Sequence, residues 1–172
     1  IAQARDDDTG VTVRDWRLDR SPSPDDAARS RYRALATSES AGFTLDLQID
    51  ATQPVLLQGA AGLSRKGPAP GDTSRYYSEP QLATRGTLTL DGRATAVTGR
   101  AWLEHEWSDA FVPAGAVGWD WIGMNLDDGS ALTAFRLRRA DGGSVYAGGS
   151  LRRAGEAPRD FAPEEVSFVP GR

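Results

Sequence analysis

Apolar and polar residues alternate along most of this chain. Phe43, Leu45, Leu47 and Ile49 are interleaved with Thr44, Asp46, Gln48 and Asp50, a period of two that buries one face of a strand and leaves the other wet. The same reading predicts strands over Val11–Leu18, Tyr32–Thr37, Val55–Gln58, Tyr76–Ser78, Leu82–Leu90, Thr95–Trp107, Trp119–Leu126, Ala131–Arg138 and Val145–Leu151, with a weaker one over Glu165–Phe168. Asp91-Gly92, Asp128-Gly129 and Asp141-Gly142-Gly143 separate successive runs. Asp-Gly between alternating runs is a hairpin signal, because a type I′ turn needs positive φ at both central residues. "SPSPDD" (21–26) and "SRKGPAPGDTS" (64–74) read as loops, since proline withholds a ladder donor, and only Pro24–Ser30 has room for a helical turn. About ten strands joined by short hairpins predict an all-β, antiparallel barrel or sandwich, with no internal repeat.

Composition narrows this further. The chain has 172 residues, the size of one domain, and 39% hydrophobic residues supply a core. Nineteen glycines exceed the usual ~7% and fit a turn-rich fold. The net charge is −4 with both signs mixed along the chain, which gives no basis for nucleic acid as a partner. There is no cysteine, hence no disulfide or thiolate chemistry, and no apolar run approaches the ~20 residues of a membrane-spanning helix. The sequence starts at Ile1 and ends "EEVSFVPGR", just after a strand-like run. The expectation is a processed or excised piece, with unpaired strand edges able to meet another copy or the missing part of its own chain.

One stretch concentrates chemistry. Residues 99–132, "GRAWLEHEWSDAFVPAGAVGWDWIGMNLDDGSAL", hold the sole histidine, His105, between Glu104 and Glu106, together with four of the five tryptophans. On a strand, Leu103, His105 and Trp107 share one face and Trp102, Glu104 and Glu106 the other. On the next strand Asp120, Ile122, Met124 and Leu126 oppose Trp119, Trp121 and Asn125. Taking the leucine-bearing faces as interior predicts that His105, Trp107 and Asp120 converge in apolar surroundings. Such a site shifts proton affinities usefully. The alternative is a core histidine bonded to Asp120 for structure alone.

Other chemistries find less support. One histidine and no cysteine leave no zinc constellation, and "HEW" lacks the second histidine of the helical zinc motif. No G-x-S-x-G elbow, phosphate loop or dinucleotide fingerprint is present. "LDDGS" (126–130) reads as a hairpin rather than a calcium loop.

The series "LQGAAGLSRKG" (57–67), "SRYYSEPQLATRGTLTLDG" (74–92), "VTGRAWLEHEWSD" (97–109) and "GWDWIGMNLDDGSALTAFRLRRADG" (118–142), with "VRDWRL" (13–18) upstream, closely resembles the AttH-like / carotenoid 1,2-hydratase family. These proteins are lipocalin-like and are also described as secreted hydrolases. The resemblance implies an antiparallel lipocalin-like β-barrel, with residues 1–172 forming a single barrel domain or the central fragment of a longer two-barrel protein. It also implies export to the periplasm or the membrane surface, and cofactor-free addition of water to an isolated C=C of a carotenoid-like or terpenoid substrate. His105 and Trp107 match the family's histidine and tryptophan, and Asp120 matches the acid of the following strand. Glu104 stands where aspartate is common, and the tyrosine expected near the acid is absent from Trp119-Asp120-Trp121.

The chemistry implied is acid catalysis. Asp120, a carboxylic acid kept neutral by burial, is the expected proton donor to carbon; Trp107 stabilises the cation; His105 activates water. Trp102, Trp119, Trp121, Tyr76, Tyr77, Arg65 and Lys66 are the expected ligand-binding residues, the last four at a barrel mouth. The competing reading is a non-catalytic exported binding protein for a lipophilic small molecule, and a third is a scaffold half without a complete site.

Overall fold

The computed structural model describes residues 2–109 and 112–169. Among them regular structure is almost entirely strand: β1 (Ala2–Ala4), β2 (Val11–Val13), β3 (Trp16–Pro22), β4 (Ser30–Ser38), β5 (Phe43–Asp50), β6 (Leu56–Leu57), β7 (Leu63–Arg65), β8 (Thr73–Leu90), β9 (Arg93–Trp107), β10 (Gly118–Asn125), β11 (Ala131–Arg138), β12 (Ser144–Arg152) and β13 (Arg159–Asp160), then one 3-10 turn at Pro163–Glu165. One sheet runs β1-β2-β3-β4-β5-β8-β6, with β7 and β9 also paired to β8; the other runs β10-β11-β12-β13. The registered pairs are antiparallel throughout. The all-β antiparallel class is therefore as expected, whereas neither ladder closes on itself among the described residues, so the barrel is not a closed one.

The chain forms two compact units. One comprises the residues up to Pro54 with Gln81–Ala101, the other Val55–Pro80 with the residues from Trp102 on. In the first, Tyr32, Ile49, Ala51 and Leu82 form the buried core. The exposed face of its sheet carries cross-strand charge, Arg33 to Asp46 at 2.9 Å and Asp50 between Arg31 and Arg85. In the second unit the core mixes apolar Leu56, Tyr76, Ala131, Phe135, Leu137 and Ala147 with fully buried Ser78, Thr133 and Ser150. Buried hydroxyls call for hydrogen-bond partners; those of Ser78 and Ser150 shape the site, whereas Thr133 Oγ1 has none among the described residues.

Several predicted boundaries are corrected. Val11–Leu18 is two strands, because Arg14 takes a left-handed φ of 55° and turns the chain so that Val13 pairs with Trp16. Tyr76–Ser78 and Leu82–Leu90 belong to the single strand β8, which passes through Pro80 with Gln81 at a φ of 56°. Part of the 64–74 loop is the β7–β8 hairpin, Arg65 pairing with Thr73. Glu165–Phe168 is no strand; a 3-10 turn over Pro163–Glu165 ends at its first residue, with Glu165 accepting from the Ala162 N–H at 2.8 Å and pairing with Arg159 at 3.0 Å. Pro24–Ser30 makes no helix, only a turn closed by the Arg29 N–H on the Asp26 carbonyl.

Asp91 and Gly92, with φ of 48° and 79°, form the predicted I′ geometry. At the other two Asp-Gly sites only the glycine is left-handed, Gly129 at 85° and Gly142 at 84°. There the loops close through Leu126 and Ser130, and through Arg139 and Gly143, the longer hairpin with a glycine bulge.

Close backbone approach makes Gly86 a sensitive position. A Cβ there would stand 2.1 Å from the Asp46 carbonyl oxygen and 2.8 Å from Leu47 Cα. Gly86→Ala is expected to destabilise the protein by about 2 kcal/mol or more. Gly99→Ala, whose Cβ would meet nothing within 4 Å, serves as the control. Urea midpoints compare the two, and equal midpoints would contradict the packing described.

Candidate functional site

The second unit contains a cavity of about 400 Å³, lined by Lys66, Ser74, Tyr76, Glu104, Glu106, Trp107, Ser108, Val112, Trp119, Trp121, Phe135 and Leu137. Alternation explains most of the lining, and Trp107 and Ser108, consecutive residues where β9 ends, depart from it. Ser74, Tyr76 and Ser78 form the buried face of β8, with Arg75 exposed and Tyr77 half-buried between them. Glu104 and Glu106 of β9 meet that face: Ser78 Oγ donates to Glu104 Oε1 at 2.9 Å, and Ser74 Oγ to Glu106 Oε1 at 2.5 Å. Trp119 and Trp121 of β10 and Phe135 and Leu137 of β11 complete the aromatic and apolar wall.

The inner face is therefore the opposite of the one expected. It carries Glu104 and Glu106 rather than His105, and Trp119 and Trp121 rather than Asp120. Asp120 is paired across the ladder with Arg136, with carboxylate–guanidinium contacts at 2.7 Å to Arg136 and 3.4 Å to Arg138. Because Phe135 and Leu137 point inward, Arg136 and Arg138 alternate to the other side and take Asp120 with them. His105 Nδ1 lies 3.1 Å from the Tyr77 hydroxyl, and its ring packs 5.2 Å from Tyr77 and 5.1 Å from Trp107. His105, Asp120 and Tyr77 do not line the cavity, so the predicted convergence of His105 and Asp120 is absent.

Trp107, Trp119, Trp121, Tyr76 and Lys66 do line it. Trp102 stands behind, edge-on to Trp121 at 6.4 Å, with its indole N–H on Glu104. Arg65 turns away, donating to the Gly67 and Pro68 carbonyls and lying 5.8 Å from the Tyr146 ring, beside a separate cavity of about 210 Å³. Glu104 and Glu106 were missed as site residues. The signal was present in their i, i+2 spacing beside the tryptophans, but hydropathy favoured the leucine face.

The electrostatics divide the two carboxylates. Glu104 retains solvent contact through the open cavity, while Tyr76, Trp102 and Ser78 surround its carboxyl group. That immediate surrounding, more than the residue's overall exposure, sets its proton affinity. Burial pushes Glu104 above the usual carboxylate range; hydrogen bonds from Tyr76, Trp102 and Ser78 oppose this, and the charge of Glu106 adds to it. Burial, with Glu104 next, likewise raises the Tyr76 phenol, whose oxygen accepts from the Trp121 indole at 2.9 Å. Glu106 is ion-paired with Lys66 at 2.7 Å. The Lys66 ammonium lies 4.5 Å from the Tyr76 ring centre and 4.1 Å from that of Phe135, both in cation–π range. Burial lowers the Lys66 amine, against the pull of Glu106 and Glu104.

A carboxyl raised in the folded state favours the folded state when neutral and opposes it when ionised. Glu104→Gln should therefore stabilise the protein at neutral pH. The gain should vanish as the pH falls towards about 4, where the carboxyl is protonated folded and unfolded alike. Melting temperatures of both proteins across that range test this; a gain independent of pH would contradict the assignment.

A family model described as AttH-like matches residues 1–172. The kievitone hydratase of Fusarium solani subsp. phaseoli is 29% identical over 105 residues, covering 59% of this chain and 28% of that protein. Among solved structures, the chain is similar to a protein designated AttH from Nitrosomonas europaea, with a TM-score of 0.85 and 43% identity over 95% of this chain and 48% of the other. Kievitone hydratase from Nectria haematococca is similar with a TM-score of 0.66 at 19% identity, over 89% of this chain and 46% of that one, a likeness of fold alone. The chain spans about half the length of these two structures.

Proposed function

The chain belongs to the AttH-like family, and on that premise we propose that its cavity hydrates an isolated carbon–carbon double bond of a lipophilic, terpenoid-like substrate. The observation that carries this reading is a carboxyl of raised proton affinity, Glu104, on an aromatic wall beside an ion-paired carboxylate, Glu106. Two carboxyl groups held in different environments supply an acid and a base at one site. The relationship to a kievitone hydratase agrees with a hydratase activity at the level of the family.

The Glu104 O–H bond breaks as the alkene π pair takes the proton, forming a C–H bond at the less substituted carbon. The positive charge develops on the more substituted carbon, facing the rings of Trp107, Trp119 and Trp121. These rings are solvent-exposed; a ring face so exposed stabilises a cation by about 0.5–1 kcal/mol, and a bound lipophilic substrate that displaces the water raises this to ~2 kcal/mol or more. Water attacks that carbon and passes a proton to Glu106, whose partner Lys66 holds it in place. Net addition is one water, and proton return to Glu104 through solvent completes the cycle. The steps use side chains and water only.

Glu104→Gln should lower turnover by roughly 10²–10⁴, the contribution of a positioned acid, with ligand retention preserved. Asp120→Asn should leave turnover unchanged, since Asp120 pairs with Arg136 and Arg138 outside the cavity. The measurement is incorporation of ¹⁸O water into acyclic terpenoid alkenes, read by mass spectrometry. Retention of the alkene without hydration by the unmodified protein would favour the binding-protein reading, and unimpaired turnover in Glu104→Gln would refute the acid.

A further inference from the structure

Glu104 accepts two hydrogen bonds at one oxygen, Oε1: from Ser78 Oγ at 2.9 Å and from the Trp102 indole N–H. The indole can only donate, but a serine hydroxyl can either donate or accept. What fixes Ser78 lies behind it. Ser78 Oγ accepts from Gln58 Nε2 at 2.9 Å, and Gln58 Oε1 accepts from Ser150 Oγ at 2.8 Å. Gln58 is 2% exposed, and Ser78 and Ser150 are 0% exposed. With water excluded, the protons run one way along this chain.

We infer that Gln58 is a positioning residue for Glu104: the chain Ser150→Gln58→Ser78→Glu104 holds the Ser78 hydroxyl as a donor to Oε1, beside the Trp102 indole on the same oxygen. The inference rests on the reading of Glu104 as the acid. Gln58 itself touches no reacting atom. It acts by choosing which proton of Ser78's surroundings is given and which is received. An apolar residue at 58 leaves Ser78 free to rotate and Ser150 without its acceptor, two buried groups whose bonds are costly to lose. The charged and titratable groups facing Glu104 are Glu106 on its own strand, Lys66 from the β7–β8 hairpin and Tyr76 on β8. None of them is a link of this chain.

The test is the titration of the Glu104 side-chain carboxyl followed by ¹³C NMR, its resonance assigned by loss in Glu104→Gln. Ser78→Ala and Gln58→Leu are each expected to raise the Glu104 midpoint by roughly half a pH unit or more, about threefold in ionisation constant, because the carboxylate loses a fixed donor. The double variant should shift no further than Ser78→Ala alone, since Gln58 acts through Ser78. Gln58→Met keeps the side-chain length without adding charge and covers the case in which Gln58→Leu does not fold. It removes the donor to Ser78, and the midpoint should again rise. A purely structural glutamine would lower the melting temperature and leave the midpoint in place. An unmoved midpoint in the folded Gln58 variants, or additive shifts in the double variant, would overturn the inference. The titration needs no turnover, so loss of the acid reading, seen as hydration surviving Glu104→Gln, is distinguishable from loss of this one.

Discussion

Setting a carboxyl group among indole and phenol rings is unfavourable unless donors reach it. At Glu104 they come from β8, whose buried face presents Ser74, Tyr76 and Ser78 in alternation, and from the Trp102 indole two residues away on β9. That requirement organises the second unit. Ser78 needs Gln58, and Gln58 needs Ser150 on β12, so these buried polar atoms satisfy one another. The protein groups packed around the Glu104 carboxyl also raise its proton affinity.

Glu106 shows how much position matters along one strand. Two residues beyond Glu104 and on the same face, it meets Lys66 instead of a tryptophan. Lys66 is held by one carboxylate and two aromatic faces, and its side chain is only 16% exposed. Its location between Tyr76 and Phe135 shows that this wall accommodates a cation, which is what the proposed hydration requires of it for a moment on carbon.

Relatives and structure agree on different things. The family match covers residues 1–172, and the Nitrosomonas europaea structure shares 43% identity, so fold and family are shared. The aligned stretch is only 28% of the Fusarium kievitone hydratase. The proposed activity therefore rests on the cavity, which Glu104 and Glu106 line in place of the His105 and Asp120 to which strand alternation and the family resemblance pointed.

The sequence by itself determined that the chain is antiparallel β, where most strands run, and that residues 99–132 gather the sole histidine, Glu104, Glu106 and four of the five tryptophans. These follow from local rules: side chains alternate with period two, and Asp-Gly adopts left-handed turns. Tertiary structure decided which face of β9 and β10 points inward. Hydropathy favoured the face with Leu103, Ile122 and Met124, yet Glu104 turns in because Ser78, 26 residues earlier, offers it a hydroxyl. Asp120 turns out because the β10–β11 register sets it opposite Arg136. The Ser150–Gln58 contact spans 92 residues. A strand with polar residues on one face and aromatic residues on both has no local preference strong enough to choose its interior, and only long-range partners that satisfy buried polar atoms make the choice.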